Sequence, residues 1–246
     1  MVFLNSLYVG LITPGRIGEF IRVIYLKQDK GVSISKGFSS VLTDRLFDLY
    51  LLITLGFFGI WTFDIIGQLS NVFIIFSFIV IILPFFIINK TLMDHFVLLL
   101  FKFSVLKINK EKFKERYDSF YYGINELISS HLFISGLLTV LSYFFFFLQC
   151  YLISKSIDIK IGFGTLTLFM AISNLISFIP ISISGLGTRD ATLIFLFSII
   201  GFNSELAVAY SFLVFITFHI SGAFIGLISM WFYPLTNTIN ISDYKG

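Results

Sequence analysis

The chain is predicted to be all-α: a polytopic membrane helix bundle with two re-entrant, broken-helix hairpins arranged as an inverted repeat. Three observations predict this. Hydrophobic residues fill 57% of the 246 positions and charged residues 13%, where a soluble domain carries about a quarter charged. Several apolar runs reach the roughly 20 residues that a bilayer crossing needs. Two more apolar regions are each interrupted by a charged turn rich in Pro and Gly.

The first interrupted region covers 2–30 and is broken at TPGRIGE. Its opening stretch, Val2 to Ile12, is too short to cross alone and lacks the basic flank and A-x-A site of a signal peptide. It is either the end of a spanning helix or a half-helix that enters and turns back. Full spans follow near 38–61 and 69–89, and a polar loop occupies 90–130. Within that loop Phe113, Tyr117, Phe120, Tyr121, Ile124, Leu127 and Ile128 recur at three- and four-residue steps opposite charged positions. Segment 110–130 therefore reads as an amphipathic helix, either lying in the membrane interface or serving as an elbow between spans. A third span covers 131–153, the second interrupted region covers 163–201 with its break at PISISGLGTRD, and a last span covers 205–232.

A break inside an apolar region leaves backbone groups unpaired at several kcal/mol each, so it persists where protein or a wet cavity surrounds it. Either the two breaks mark a site or they sit at the membrane surface. The regions also resemble each other, since Gly15 and Gly185 stand 170 residues apart and so do Gly31 and Gly201. Three spans between two re-entrant hairpins place them on opposite faces, which is the inverted-repeat plan of many transporters. Lys and Arg crowd segments 27–36 and 90–130, whereas the opposite loops offer Lys155 and Lys160, so the first face is expected to be cytoplasmic and the chain a multi-pass protein of the cell membrane.

The residues able to carry chemistry gather at the breaks. In the first, Pro14, Gly15 and Gly18 permit a sharp turn, and a helix opening after Gly18 turns its positive end toward whatever fills it. Arg16 and Arg22 make an anion the natural guest, and Glu19 and Arg22 are spaced to pair on one helix face. Snorkelling to the headgroups is the other reading of those arginines. Asp44, Arg45 and Asp48 fall within about one turn of the following span, either as an ion cluster holding the hairpin or as direct contacts for substrate. The second break presents Pro180, Ser182, Ser184, Gly185, Gly187, Thr188, Arg189 and Asp190, with Ser184 or Thr188 placed to cap the next short helix. His95, His131 and His219 are scattered and the one cysteine, Cys150, lies in an apolar run, so neither a metal site nor a disulfide framework is expected. No cofactor is expected, and nucleic acid is not an expected partner. His219, inside the last span, reads as a packing histidine or a proton carrier.

The two loops, TPGRIGEFIR with SSVLTDRLFDL and FIPISISGLGTRDATL, resemble the lysylphosphatidylglycerol synthase transmembrane region family of flippase-like domains. Members share a P-G-R-x-G-E-x-x-R turn, then an E-R or D-R span, then a P-x-S-x-G-G-L-G-x-R-E turn. The resemblance matches Pro14, Gly15, Arg16, Gly18, Glu19, Arg22, Asp44 and Arg45 to the first motif, and Pro180, Ser184, Gly185, Leu186, Gly187, Arg189 and Asp190 to the second. Asp190 stands where members usually have Glu, and Phe215 to Phe218 stand where many have an Arg. Members usually carry two hydrophobic segments ahead of the first motif, so the chain is read as one flippase-like domain over 1–246, short or truncated at its N-terminus. The resemblance implies a lipid flippase that binds a phosphate-bearing phospholipid or polyprenyl-phosphate headgroup, with no catalytic role of its own. The alternatives are a subunit anchoring a separate glycosyltransferase or lipid synthase, and a membrane-embedded lipid transferase using Asp44, Asp48 or Asp190 as base. Oligomeric state is not legible.

Overall fold

Backbone in hydrocarbon has no water to bond, so it must satisfy its own N–H and C=O groups, and a helix does so within one segment. The computed structural model describes residues 1–13, 17–63, 65, 78, 82, 89–94, 110–178 and 185–234. Among them every regular element is helical: α1 (Val2–Ile12), a 3-10 turn (Ile17–Phe20), α2 (Ile21–Lys30), α3 (Ile34–Thr62), α4 (Lys110–Ser156), α5 (Phe163–Ser177), α6 (Thr188–Ile199), α7 (Ser204–Phe215), a π-helical turn (Ile216–Ile220) and α8 (Ser221–Phe232).

Two described helices are long and apolar enough to cross a membrane, Phe133–Ser156 and the continuous rod Ser204–Phe232. They fall on two of the predicted spans. A third, 38–61, lies within α3, while the predicted span 69–89 falls outside the described residues apart from isolated positions. The apolar faces of these rods are broadly exposed, with Phe133 80% and Trp231 82% accessible. Side chains of that kind in contact with water would be costly, and against lipid tails they cost nothing.

Helix boundaries follow local chemistry. Gly31 ends α2 in the left-handed conformation at φ 65°, and Ser33 then caps α3 by accepting from the Lys36 N–H at 3.3 Å. The end of α6 repeats the device, with Gly201 at φ 82° and Asn203 accepting from the Leu206 N–H at 3.1 Å. Gly31 and Gly201, Ser33 and Asn203, Ile34 and Ser204, and Thr62 and Phe232 all stand 170 positions apart, which carries the offset of the glycines to whole elements.

The expectation of a separate helix over 110–130 is corrected. α4 runs unbroken from Lys110 to Ser156, Ile124 is buried against Leu42, Leu46 and Tyr50 of α3, and Tyr121 one turn before it is also buried. Lys36 pairs with Glu126 at 2.6 Å and Ser33 bonds Ser119 at 3.1 Å along the same seam. Lower down, the Tyr117 hydroxyl donates to Asp94 at 2.7 Å, and burial together with that bond pushes its pKa up.

The core surrounds α5, which packs between α3, α4 and α6. Phe169, Met170, Ala171, Leu193, Leu196, Phe197 and Tyr210 are inaccessible, and the Tyr210 hydroxyl donates to the Cys150 carbonyl at 3.1 Å. Cys150 is buried, in line with its apolar surroundings. At the other end of the molecule α1 packs on α8, where Gly222 and Gly226 open a close-approach face of the G-x-x-x-G type. A Cβ on Gly226 would lie 2.6 Å from the Tyr8 Cβ and 2.8 Å from the Leu4 carbonyl oxygen.

Candidate functional site

Each break delivers its charged residues through a glycine. At the first, the chain leaves α1 at Thr13, whose hydroxyl accepts the Gly18 N–H at 2.8 Å. A Cβ on Gly18 would run into the Val9 carbonyl, so only glycine lets the 3-10 turn lie against α1. Gly10 performs the same service for Glu19, whose side chain crosses it to reach Arg45. The expected helix opening just after Gly18 is thus a 3-10 turn, and the α-helix proper begins at Ile21.

The expected Glu19–Arg22 pair is also corrected. Glu19, which is buried, pairs with Arg45, and Arg22 donates to Asp44 at 2.5 Å. Both bonds run from the break to α3 rather than along one helix. Arg45 reaches Asp48 at 3.3 Å as its i, i+3 spacing predicts. The acid–arginine cluster therefore clamps the first break onto α3.

At the second break Gly185 and Gly187 hold φ values of 79° and 84°, a region that disfavours other residues. Thr188 does not cap α6: Gly187 is the N-cap and Thr188 donates its hydroxyl back to the Gly185 carbonyl at 3.3 Å, while the other expected cap, Ser184, lies outside the described residues. Asp190 takes over part of the capping by accepting the Gly187 N–H at 2.9 Å, and it also accepts from the Ser211 hydroxyl of α7. Arg189, 2% accessible, bonds Asp190 at 3.3 Å and the Ser211 carbonyl at 3.4 Å, with its guanidinium 5.8 Å from the centre of the Phe215 ring.

The two breaks meet in one cavity of about 790 Å³. Glu19 and Arg22 line it from the first region, Asp44, Arg45 and Asp48 from α3, and Arg189 from the second region. Gly18, Gly185, Gly187, Thr188 and Asp190 shape the turns beside it, whereas Pro14, Gly15, Arg16, Pro180 and Ser182 lie outside the described residues. The lining acids and arginines balance in number. Arg22 and Arg189 each keep a buried Nε–H with no acceptor among the described residues. A buried unpaired donor on a cation costs on the order of 1–3 kcal/mol or more, which an oxyanion placed there would recover.

Several lining residues escaped the sequence reading. Ser135, Thr139 and Ser142 of α4, with Gln149 two turns on, face the cavity, as do Asn174 and Ser177 of α5. Their steps of four, three and seven form a hydroxyl and amide stripe along an otherwise apolar span, a signal present in the sequence. His219 also lines the cavity from the π turn, its ring stacked on Phe215 at 4.6 Å. No group of three or more potential metal ligands occurs among the described residues.

Fold and cavity together define a helical membrane protein whose two interrupted regions wall one charged chamber. Residues 1–226 match the lysylphosphatidylglycerol synthase TM region family, and the chain belongs to it. It is also similar to a UPF0104 membrane protein of Methanocaldococcus jannaschii, 23% identical over 244 positions that cover 94% of this chain and 73% of the relative. No solved structure matches the chain.

Proposed function

We propose that this protein binds the phosphate of a phospholipid or polyprenyl-phosphate headgroup in the shared cavity and carries it across the cell membrane by alternating access, without chemical conversion. One observation carries the reading: Arg22 and Arg189, 167 positions apart in the chain, enter the same cavity, Arg22 half-buried and Arg189 buried, each with an inaccessible Nε–H lacking an acceptor among the described residues. A phosphate offers oxygens enough for both guanidinium groups, and their acid partners keep the empty chamber from holding bare positive charge. The 170-residue repeat of elements supports two halves that exchange roles, as inverted repeats do in transporters. Multi-pass topology with segments 27–36 and 90–130 in the cytoplasm completes the reading.

The test is transfer of fluorescent phosphatidylglycerol between leaflets of phosphatidylcholine vesicles holding the purified chain. Arg22→Ala and Arg189→Ala should each slow transfer by about tenfold or more, the equivalent of one lost charge-assisted bond of roughly 1.5–3 kcal/mol. Undiminished transfer in both folded variants would refute an anion site in the cavity.

A further inference from the structure

An amphiphile whose headgroup enters a polar chamber must leave its hydrocarbon somewhere, and one side of the chamber adjoins an apolar concavity. Phe145 and Gln149 of α4 line the charged cavity and also a second concavity of about 490 Å³ on the outer side of the helix. That outer groove runs along Leu148 and Leu152 of α4 and is met by Thr217 of the π turn. Phe145 and Leu152 are exposed, so the groove opens outward. On the cavity side, each next in sequence to a residue of the outer groove, Phe146 of α4 meets Phe218 of the π turn edge to face at 5.1 Å. Both rings line the cavity, and their neighbours Phe145 and Thr217 line the groove.

We infer that the slit between α4 and the π turn is a lateral portal, with the outer groove holding an acyl or prenyl chain of the same lipid whose headgroup occupies the cavity. This rests on the headgroup reading above. The two hollows share Phe145 and Gln149 as lining residues, and this adjacency selects the occupant over an unrelated lipid: a chain in the groove is within one side chain of the chamber. Gln149 supplies the polar rim at which a glycerol or ester region passes from one environment to the other. The π turn contributes too, because a π-helical turn is wider than an α turn, and it carries Thr217 and Phe218 out to the edge of the slit.

Photo-crosslinking of the full chain separates this inference from the headgroup reading. Benzoylphenylalanine is placed at Leu148 in the groove, at Thr139 in the cavity and at Phe133 on the outer face of α4, in phosphatidylcholine vesicles with phosphatidylglycerol as the minor lipid. Adducts at Leu148 and Thr139 should be enriched in phosphatidylglycerol by about threefold or more over those at Phe133, since site occupancy follows the difference in affinity between lipids. Arg189→Gln should return the Leu148 ratio to that of Phe133, because the tail is then no longer held by its headgroup. Enrichment at Thr139 with none at Leu148 would overturn the portal while leaving the headgroup site standing. The bulk ratio at both positions would overturn the headgroup reading and the portal with it.

Discussion

A buried arginine in a membrane protein is tolerable when its charge is met, and among the described residues the carboxylate that meets Arg189 is Asp190. Asp190→Asn keeps the volume and an acceptor for Gly187 and Ser211 but leaves the guanidinium uncompensated, so it should cost roughly 3 kcal/mol of stability, read as a lower unfolding midpoint in detergent. Adding Arg189→Gln should recover part of that loss, and the coupling in the double-mutant cycle measures the pair. Glycines sort by the same local logic. Gly18→Ala drives a Cβ into the Val9 backbone and should cost about 1–3 kcal/mol, whereas Gly164→Ala in the first turn of α5 meets nothing within 4 Å and should be neutral or stabilising by up to about 1 kcal/mol. Thermal unfolding of the two variants side by side checks both signs. At this scale the sequence placed charged side chains at the breaks and in the span after the first of them, but did not show whom they hold. Glu19 and Arg22 are three apart, and spacing alone pairs them; instead Glu19 sits in a 3-10 turn and passes over Gly10 to Arg45, a contact that exists only once α1 and α3 are in place.

Element ends were legible where a residue type enforces them. Gly31 and Gly201 need φ above zero, Ser33 and Asn203 cap, and these four positions mark the starts of α3 and α7. What stayed hidden was continuity. No Pro or Gly stands between Ile124 and Ser135, so nothing in the backbone breaks α4 where its polarity changes, and a shift from charged to apolar composition is not a helix end. The π turn at Ile216–Ile220 left no mark either, because its residues are ordinary helix formers and the extra width comes from the tertiary setting. A π turn holds one residue more than the α path it replaces, so deleting Ile216 should restore regular helix while keeping α7 and α8 in register with their neighbours. The expected outcome is a variant that unfolds at or above the parent temperature but transfers lipid at least about tenfold more slowly, because Phe218 and His219 no longer reach the cavity wall. Equal transfer rates would show that the wider turn has no part in function.

The whole molecule is closed by its two ends. Phe3, Ser6 and Leu7 of α1 form one wall of the cavity, and α1 is held there from two sides. On one, it packs against Gly222 and Gly226 of α8; on the other, Asn5 donates to the Tyr25 hydroxyl and the Tyr233 carbonyl, both at 2.8 Å, joining α1 to α2 and to the end of α8. Neither fastening is strong alone. Helix contacts in lipid rest on close packing rather than on the expulsion of water, and a buried hydrogen bond contributes about 1 kcal/mol net. Removing the close approach should therefore release the wall without unfolding the core around α5, which draws its packing from α3, α4, α6 and α7. Gly226→Leu places a branched side chain against Tyr8 and the Leu4 carbonyl and should lift α1 from α8. Ser6 is almost inaccessible in the closed molecule, so a Ser6→Cys reporter should react with a soluble maleimide about tenfold faster in the Gly226→Leu background, a rise that corresponds to a local opening easier by about 1.4 kcal/mol. Cys150 stays buried in both and does not compete. Asn5→Leu should raise the same rate by a smaller factor, since it removes the polar fastening and leaves the packed one. Reporter rates unchanged in both variants would show that α1 is held by the remainder of the chain, and the cavity would then have no wall that can move at its ends.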